Sequence, residues 1–191
     1  GMEAIPSCIM ASGSYTSYID KIILPSQLKK IGSSAFYNCG KITQMEVPKT
    51  ITEIGGSAFE NCTGLKSFRM NYNGTVEYKA EIGNAAFRGC TSLTDVSLSE
   101  NVTSIGSMAF SGCTSLETLN LPERVESLGR CLIEKTAISS ITIPKNVKYS
   151  TNVSSSYGVL VNVNTLKTVT FEEGMEAIPS CIMASGSYTS Y

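Results

Sequence analysis

The chain has 191 residues, 15 of them basic and 16 acidic, and 42% of its residues are hydrophobic. This length and apolar content suit one folded domain or one stretch of a longer array, and they argue against wholesale disorder. The sequence contains no histidine, no basic block and no apolar run of the roughly 18 residues that a membrane helix needs. These absences argue against histidine-based catalysis or metal binding, nucleic-acid binding and membrane insertion of this segment.

A nine-residue phrase that begins with Ile-Gly recurs along the chain. Its clear copies start at residues 31, 54, 82 and 105 and read IGSSAFYNC, IGGSAFENC, IGNAAFRGC and IGSMAFSGC. Weaker copies begin near residues 5, 128 and 155, and an incomplete one begins at residue 178. Repeats of this length are typical of a solenoid. The sequence therefore predicts one domain over residues 1–191, with seven units and the beginning of an eighth.

A second phrase, L-x-x-h-x-h with h an apolar residue, follows the cysteine of each clear copy, as at residues 93–98 and 116–121. Its last two apolar positions are two residues apart, which is the strand period. A strand this short needs neighbours, so stacked copies predict a parallel sheet. Proline cannot donate to a ladder and is expected to end the strand. It stands at positions 25, 48, 122 and 144.

The rest of each unit is expected to form the other side of the coil. The Ala-Phe pair, as in Ala58 and Phe59, is predicted to supply one small and one bulky core residue on a short helical turn. The glycine in front of it, such as Gly55, is expected at a tight corner because glycine tolerates unusual backbone conformations.

Joined together, the two phrases read I-G-x-x-A-F-x-x-C-x-x-L-x-x-h-x-L-P at a spacing of 23 residues, which resembles the BspA-like subclass of leucine-rich repeats. The resemblance covers nearly the whole chain. It implies an α/β solenoid, a right-handed superhelix of about 23 residues per coil with a parallel sheet on its concave face and turns and short helical segments on the other side. It also implies a bacterial or protist surface protein, since members of this family often adhere to host matrix proteins or to other cells.

A longer repeat is present at the two ends of the sequence. Residues 1–18 and 174–191 are identical, and the offset of 173 residues equals seven units with their insertions. We expect the parent protein to carry the whole block more than once, so that this chain is a fragment of a longer array. No signal peptide is visible, and in a fragment this says nothing about secretion.

The seven cysteines occupy two positions of the unit, and no C-x-x-C spacing occurs. This argues against the usual zinc and thioredoxin sites, so stacked, buried, free thiols are predicted instead. A catalytic thiolate would need an electropositive setting and usually a histidine. We therefore predict no metal, no other cofactor and no enzymatic activity. The first position holds Cys39, Cys62, Cys90 and Cys113, and the second holds Cys8, Cys131 and Cys181.

Residues between the apolar strand positions are expected to face outwards on the sheet, where solenoids bind their partners. They are mostly small and polar, with a few charges. The simpler explanation is that serine and threonine suit exposed strands. The candidate partner-binding residues in these columns are Gln44, Glu46, Arg69, Asp95 and Asn120.

Most tyrosines lie outside the regular phrases, in insertions rich in serine, glycine and asparagine. That composition is typical of adaptable binding loops, and Asn73-Gly74 predicts a hairpin turn in one insertion. Alternatively, each ring packs sideways on the solenoid and shields it. The candidate partner-binding tyrosines are Tyr15, Tyr18, Tyr72, Tyr78, Tyr149 and Tyr157.

These patterns favour a non-enzymatic recognition module that adheres to an extracellular protein or a glycan through the concave sheet and the tyrosine-rich loops. The extracellular or cell-surface location follows from the resemblance alone. The alternative is a structural spacer or stalk with no ligand of its own. The verbatim duplication suits both functions, since tandem copies add length and multiply weak binding. The sequence leaves the ligand and the oligomeric state open.

Overall fold

The structure is a computed structural model that describes residues 2–10, 19–71, 78–151, 158–179 and 182–183. Short strands joined by turns make up the chain in these ranges. In chain order the strands are β1 (Ala4–Ile5), β2 (Lys30–Ile31), β3 (Gln44–Val47), β4 (Glu53–Ile54), β5 (Ser67–Met70), β6 (Ala80–Ile82), β7 (Asp95–Ser97), β8 (Val102–Ile105), β9 (Ser127–Gly129), β10 (Ser140–Ile143), β11 (Tyr149–Thr151) and β12 (Thr168–Phe171).

Each strand pairs in parallel with the equivalent strand of an adjacent coil, so the chain is a parallel-sheet solenoid, as the repeat predicts. The L-x-x-h-x-h phrase forms a three-stranded sheet, β3-β5-β7, and a two-stranded sheet, β10-β12. A further sheet of seven strands, in the order β1-β2-β4-β6-β8-β9-β11, was not expected from the sequence. The first five of its strands end at the isoleucine of the Ile-Gly phrase or its equivalent, and β9 and β11 extend one residue further, so most coils contribute to two sheet faces.

The core lies between the two sheet faces and repeats with the coil. Ile31, Ile54 and Ile82 occupy one register column of the seven-stranded sheet and are buried. The Phe of each clear unit stacks on the next, with ring centroids 5.2 Å apart for Phe36–Phe59 and 5.3 Å for Phe59–Phe87. These distances are close to the spacing of adjacent strands, about 4.8 Å, so the ring stack and the ladders share one repeat.

The expectation of a helical turn at the Ala-Phe pair is wrong, since the described residues contain turns there and no helix. The N–H of Ala35 donates to the Gly32 carbonyl, three residues earlier, while the neighbouring N–H of Ser34 donates to Gly56 in the next coil. The following amides alternate in the same way. Because every second amide bonds to the adjacent coil, it is not available for the bonds of a helix.

Two positions of this segment also have left-handed backbone conformations, which a right-handed helix excludes. The first is occupied by Ser34, Ser57, Ala85, Met108 and Cys131, with φ between 53° and 57°. The second is occupied by Asn38, Asn61, Gly89, Gly112 and Lys135. Asparagine and glycine tolerate this conformation best, so the second position carries a sequence signal that we did not use.

The glycine of the Ile-Gly phrase is required by the packing of adjacent coils and not by the tight corner that we expected. A β-carbon added at Gly83 would lie 2.5 Å from the backbone nitrogen of Gly56 in the preceding coil. Glycine is needed here because adjacent coils touch backbone to backbone. The prolines act as expected where a strand precedes them: Pro48 follows the last residue of β3 and Pro144 that of β10.

The hairpin predicted at Asn73-Gly74 lies outside the described residues. The described part of the chain has no helix that is long and apolar enough to cross a membrane.

Candidate functional site

The L-x-x-h-x-h phrases of successive coils form one face of the solenoid, and the outward side of this face is here called the polar face. It comprises the outward-pointing residues of β3, β5, β7, β10 and β12. It also includes those of residues 117–121, which lie between β7 and β10 in the chain. The register places Gln44 beside Ser67 and Ser67 beside Asp95, and it aligns Glu46 with Arg69. These are the columns that the sequence predicts. The structure therefore brings Gln44, Glu46, Arg69 and Asp95 together on one sheet, and Asn120 is exposed on the next coil.

The half of the polar face nearer the N-terminus is charged. Arg69 pairs with Asp95 on the adjacent strand, and both side chains are about half exposed. Glu46 is exposed beside them. A depression of about 630 Å³ next to this sheet has mixed charge and is lined by Asp20, Lys21, Ile22, Thr43, Gln44 and Glu46.

The other half of the polar face is neutral. Its outward residues are exposed, and each carries a hydroxyl or an amide. Such a surface can donate and accept hydrogen bonds without strong charge, and it differs in this respect from the Arg69–Asp95 region. The residues are Thr118, Asn120, Ser140, Thr142, Thr168 and Thr170.

The sheet is interrupted where the two halves meet. Residues 117–121 belong to no strand, and within the described chain their backbone groups make no backbone hydrogen bond. A depression of about 240 Å³ lies along this gap, and it is lined by Thr118, Leu119, Asn120, Leu121, Ser140, Ile141, Thr142 and Thr170. The gap therefore offers unpaired peptide groups beside the neutral polar side chains of the depression, and one exposed carboxylate, Glu117, stands at its first residue. The sequence gives no sign of it, because residues 116–122 match the strand phrase fully.

The predicted tyrosines are only partly within the described chain. The hydroxyl of Tyr78 donates to the backbone carbonyl of Lys49, and the side chain is half-buried. This contact agrees with the alternative in which a ring packs on the solenoid. Tyr149 lies in β11, but its side chain is outside the described part. Tyr15, Tyr18, Tyr72 and Tyr157 also lie outside it.

The cysteine ladder confirms buried free thiols at the first cysteine position. Cys62, Cys90 and Cys113 are buried, and each Sγ–H donates to the carbonyl of the Phe in the preceding coil at 3.0–3.1 Å. Burial is the largest cause that raises the pKa of Cys62 and Cys113 to about 12, and it raises the pKa of Cys90 well above its usual value. Cys8 corrects the prediction of general burial, because it is free but exposed. The described residues contain no group of side chains that could hold a metal ion.

These buried thiols predict a loss of stability in alkaline solution. In the unfolded chain a thiol ionises near pH 9, whereas in the folded protein Cys62 and Cys113 stay protonated to about pH 12. The free energy of unfolding should therefore be unaffected below pH 9 and should fall above it, by up to about 1.4 kcal/mol per pH unit for each thiol. Urea unfolding between pH 8 and pH 10.5 measures this slope.

A variant with Cys62, Cys90 and Cys113 replaced by alanine is the control for this prediction. Tyrosine and lysine titrate in the same range in both proteins, so the difference between the two slopes isolates the three thiols. We expect the slope of the variant to be shallower by up to about 4 kcal/mol per pH unit. Equal slopes would show that the thiols ionise as easily in the folded protein as in the unfolded one.

Comparison with known families and structures places this geometry in a wider context. The family profile described as BspA type Leucine rich repeat region matches residues 11–79 and 80–190, as six copies. The division into seven units and a partial eighth remains a prediction. No curated protein matches the chain in sequence.

Several solved structures resemble the chain in fold. A leucine rich cell surface protein from Faecalibacterium prausnitzii has a TM-score of 0.57 and 20% identity over 88% of this chain and 51% of its own. The pneumococcal vaccine antigen PcpA has a TM-score of 0.61 and 21% identity over 84% and 47%. A leucine rich repeat protein from T. pallidum has a TM-score of 0.57 and 18% identity over 75% and 73%. The chain thus spans about half the length of the Faecalibacterium prausnitzii protein and of PcpA. At these low sequence identities, the three similarities show a shared fold alone.

Proposed function

Because the chain belongs to the BspA-type leucine-rich-repeat family, we propose that it is a non-enzymatic recognition segment of a cell-surface or secreted protein and adheres to a protein or glycan through its polar face. The description of the Faecalibacterium prausnitzii protein as a cell surface protein supports the proposed location. The argument for binding comes from the polar face itself.

The interruption at residues 117–121 carries this proposal. The ladders pair peptide groups between β3, β5 and β7 and between β10 and β12. At the gap, as at residues 20–24 beside β3, the peptide groups make no backbone hydrogen bond within the described chain and are free to bond to a ligand. A solenoid that only needed strength would gain from closing this ladder, since paired peptide groups are more stable than loosely solvated ones. Hydroxyl and amide side chains flank the gap, so the ligand that fits is neutral and polar, such as a sugar chain or an extended peptide segment.

The lining of the gap supports binding rather than catalysis. Among the side chains around this depression none titrates, because they are threonine, serine, asparagine, leucine and isoleucine. General acid–base and nucleophilic catalysis need titratable groups that converge on the substrate. Because the side chains that line the depression carry no charge, ligand binding should depend only weakly on salt concentration.

The test is adhesion of the purified chain to a panel of immobilised extracellular-matrix proteins and to a glycan array. We expect Thr118→Lys to reduce binding to any ligand found by at least about tenfold, because it places a long, charged side chain across the gap. Thr114→Lys is the matched control, since it changes the same exposed residue type in the same coil but outside the polar face. If both variants bind a ligand as tightly as the original chain does, that ligand binds at a site other than the gap.

A spacer function is the second candidate, and the contacts between coils favour it. Among the described residues, five ion pairs each join two coils, and the pair Lys79–Glu126 reaches past the intervening strand β8. Such contacts along the axis would stiffen a stalk. If no member of the panel binds the chain, the spacer function becomes the better account.

A further inference from the structure

One edge of β3 is uncovered at the charged end of the polar face. Residues 19–24 match the strand phrase and precede Pro25 as β3 precedes Pro48, yet they belong to no strand. Within the described chain, the peptide groups of residues 20–24 make no backbone hydrogen bond. β3 therefore pairs with β5 on one side only, and the depression of about 630 Å³ lies between its other edge and residues 20–22.

The existing ladder shows which peptide groups lie on the open edge of β3. In a parallel ladder, alternate residues of a strand direct their peptide groups to opposite neighbours. The carbonyl of Val47 accepts the N–H of Asn71 at 3.0 Å, at the end of β5, so Val47 and Met45 direct their peptide groups towards β5. The N–H and carbonyl groups of Gln44 and Glu46 consequently face the open edge.

The charges around the depression favour a basic partner. Asp20 and Glu46 contribute two carboxylates to its lining, against the single ammonium group of Lys21. None of these three side chains has an ion pair within the described residues. The basic residue across from Glu46 on β5 is Arg69, and it pairs with Asp95 instead. The excess of free carboxylates therefore complements a cationic side chain.

Two isoleucines add apolar surface at the same place. Ile22 lines the depression and packs partly against the core. Ile23, the next residue, is 83% exposed, and it takes the outward position of the phrase that Glu46 takes in β3. Apolar side chains of a partner can cover both residues, which a ligand that is polar throughout would leave in water.

We propose that the open edge of β3 binds an extended, basic segment of a partner protein by strand addition. In this mode, main-chain hydrogen bonds supply the affinity and alternate side chains supply the specificity. The segment would bond to the peptide groups of Gln44 and Glu46. Its basic side chains would pair with the carboxylates of Asp20 and Glu46, and its apolar ones would contact Ile22 and Ile23. The site is separate from the gap at residues 117–121, so either can fail without the other.

The test is a titration of the chain with a capped peptide of about seven residues in which valine and arginine alternate, followed by amide hydrogen exchange. We expect saturating peptide to slow exchange of the Gln44 and Glu46 N–H groups at least about tenfold. The N–H groups of Met45 and Val47, which already face β5, should change little. The same peptide with methylated backbone nitrogens keeps its side chains but cannot donate to the edge, so it should not bind.

Substitutions in the chain test the backbone and the charge separately. Gln44→Pro removes an N–H on the open edge and leaves the ladder to β5 in place, so it should weaken peptide binding at least about tenfold. Glu46→Gln should weaken it about threefold, since one exposed ion pair is lost. Glu117→Gln is the matched control, because it neutralises an exposed carboxylate of the polar face outside this depression, and it should leave binding unchanged.

The edge has one competing occupant, the chain's own residues 20–24. If the Gln44 and Glu46 N–H groups are already protected from exchange in the free chain, these residues close the ladder and the proposal is wrong. It is also wrong if the peptide does not bind at about 1 mM, or if the methylated peptide binds equally well. Equal effects of Glu46→Gln and Glu117→Gln would show that the peptide is attracted by net charge and not by this edge.

Discussion

Replacing Phe87 with alanine is expected to destabilise the protein by about 4 kcal/mol. Phe87 is fully buried and contacts three other rings, with centroids 5.3 Å away at Phe59, 4.5 Å at Phe68 and 5.3 Å at Phe110. The substitution removes a large apolar side chain and these aromatic contacts, and it leaves a cavity between stacked coils that cannot close without shortening the ladders. Urea unfolding followed by circular dichroism measures the loss.

Phe171→Ala is the control for this prediction. Phe171 ends β12 and is only partly buried against the core, so its loss should cost about half as much or less. Similar losses at the two positions would mean that the Phe stack contributes no more than any other apolar contact. The core would then be held mainly by the backbone ladders.

The strand columns of the polar face were the part of the site most accessible to prediction. The L-x-x-h-x-h phrase fixes both the strand period and the coil length, so the alignment of Gln44, Ser67 and Asp95 follows by counting residues. The partner of Arg69 does not follow from counting. Glu46 and Ser97 lie directly across from it, yet it pairs diagonally with Asp95, because a long side chain reaches past its nearest neighbours.

The interruption at residues 117–121 could not have been predicted from local sequence. Its leucines occupy the same positions as the apolar residues of the paired coils, and Pro122 stands where Pro48 and Pro144 end true strands. Whether a short strand forms depends on how closely two coils approach along their whole length. That property is set by packing across the coil rather than by the residues of the strand.

Of the two positions with left-handed backbone conformations, one could be predicted from its residue types and the other could not. Asn38 and Gly89 mark one of them, since their residue types tolerate a positive φ. The other holds serine, alanine and methionine at Ser34, Ala85 and Met108, which have no such preference. There the stacked coils impose the backbone conformation, and only the structure shows it. The unexpected turns and the seven-stranded sheet have this common origin.

The adjacent glycines Gly55 and Gly56 provide the sharpest test of how closely the coils touch. We expect Gly55→Ala to destabilise the protein by about 3 kcal/mol. A β-carbon at this position would lie 2.5 Å from the backbone nitrogen of Ser33 and 2.7 Å from the carbonyl carbon of Gly32. No side-chain movement can relieve this clash, because the atoms that it meets are backbone atoms of the preceding coil. Equilibrium urea unfolding of the variant measures the cost.

Gly56→Ala is the matched control, one residue further along. Its β-carbon would lie 3.4 Å from the carbonyl oxygen of Asn84, and the φ of Gly56 is not in the positive range. Since alanine restricts the unfolded chain more than glycine does, this variant should change stability by less than about 1 kcal/mol in either direction. Equal stabilities for the two variants would mean that the coils can separate at this corner. The ladder bond between Gly55 and Ile31 would then be too loose to set the coil spacing on which the polar face depends.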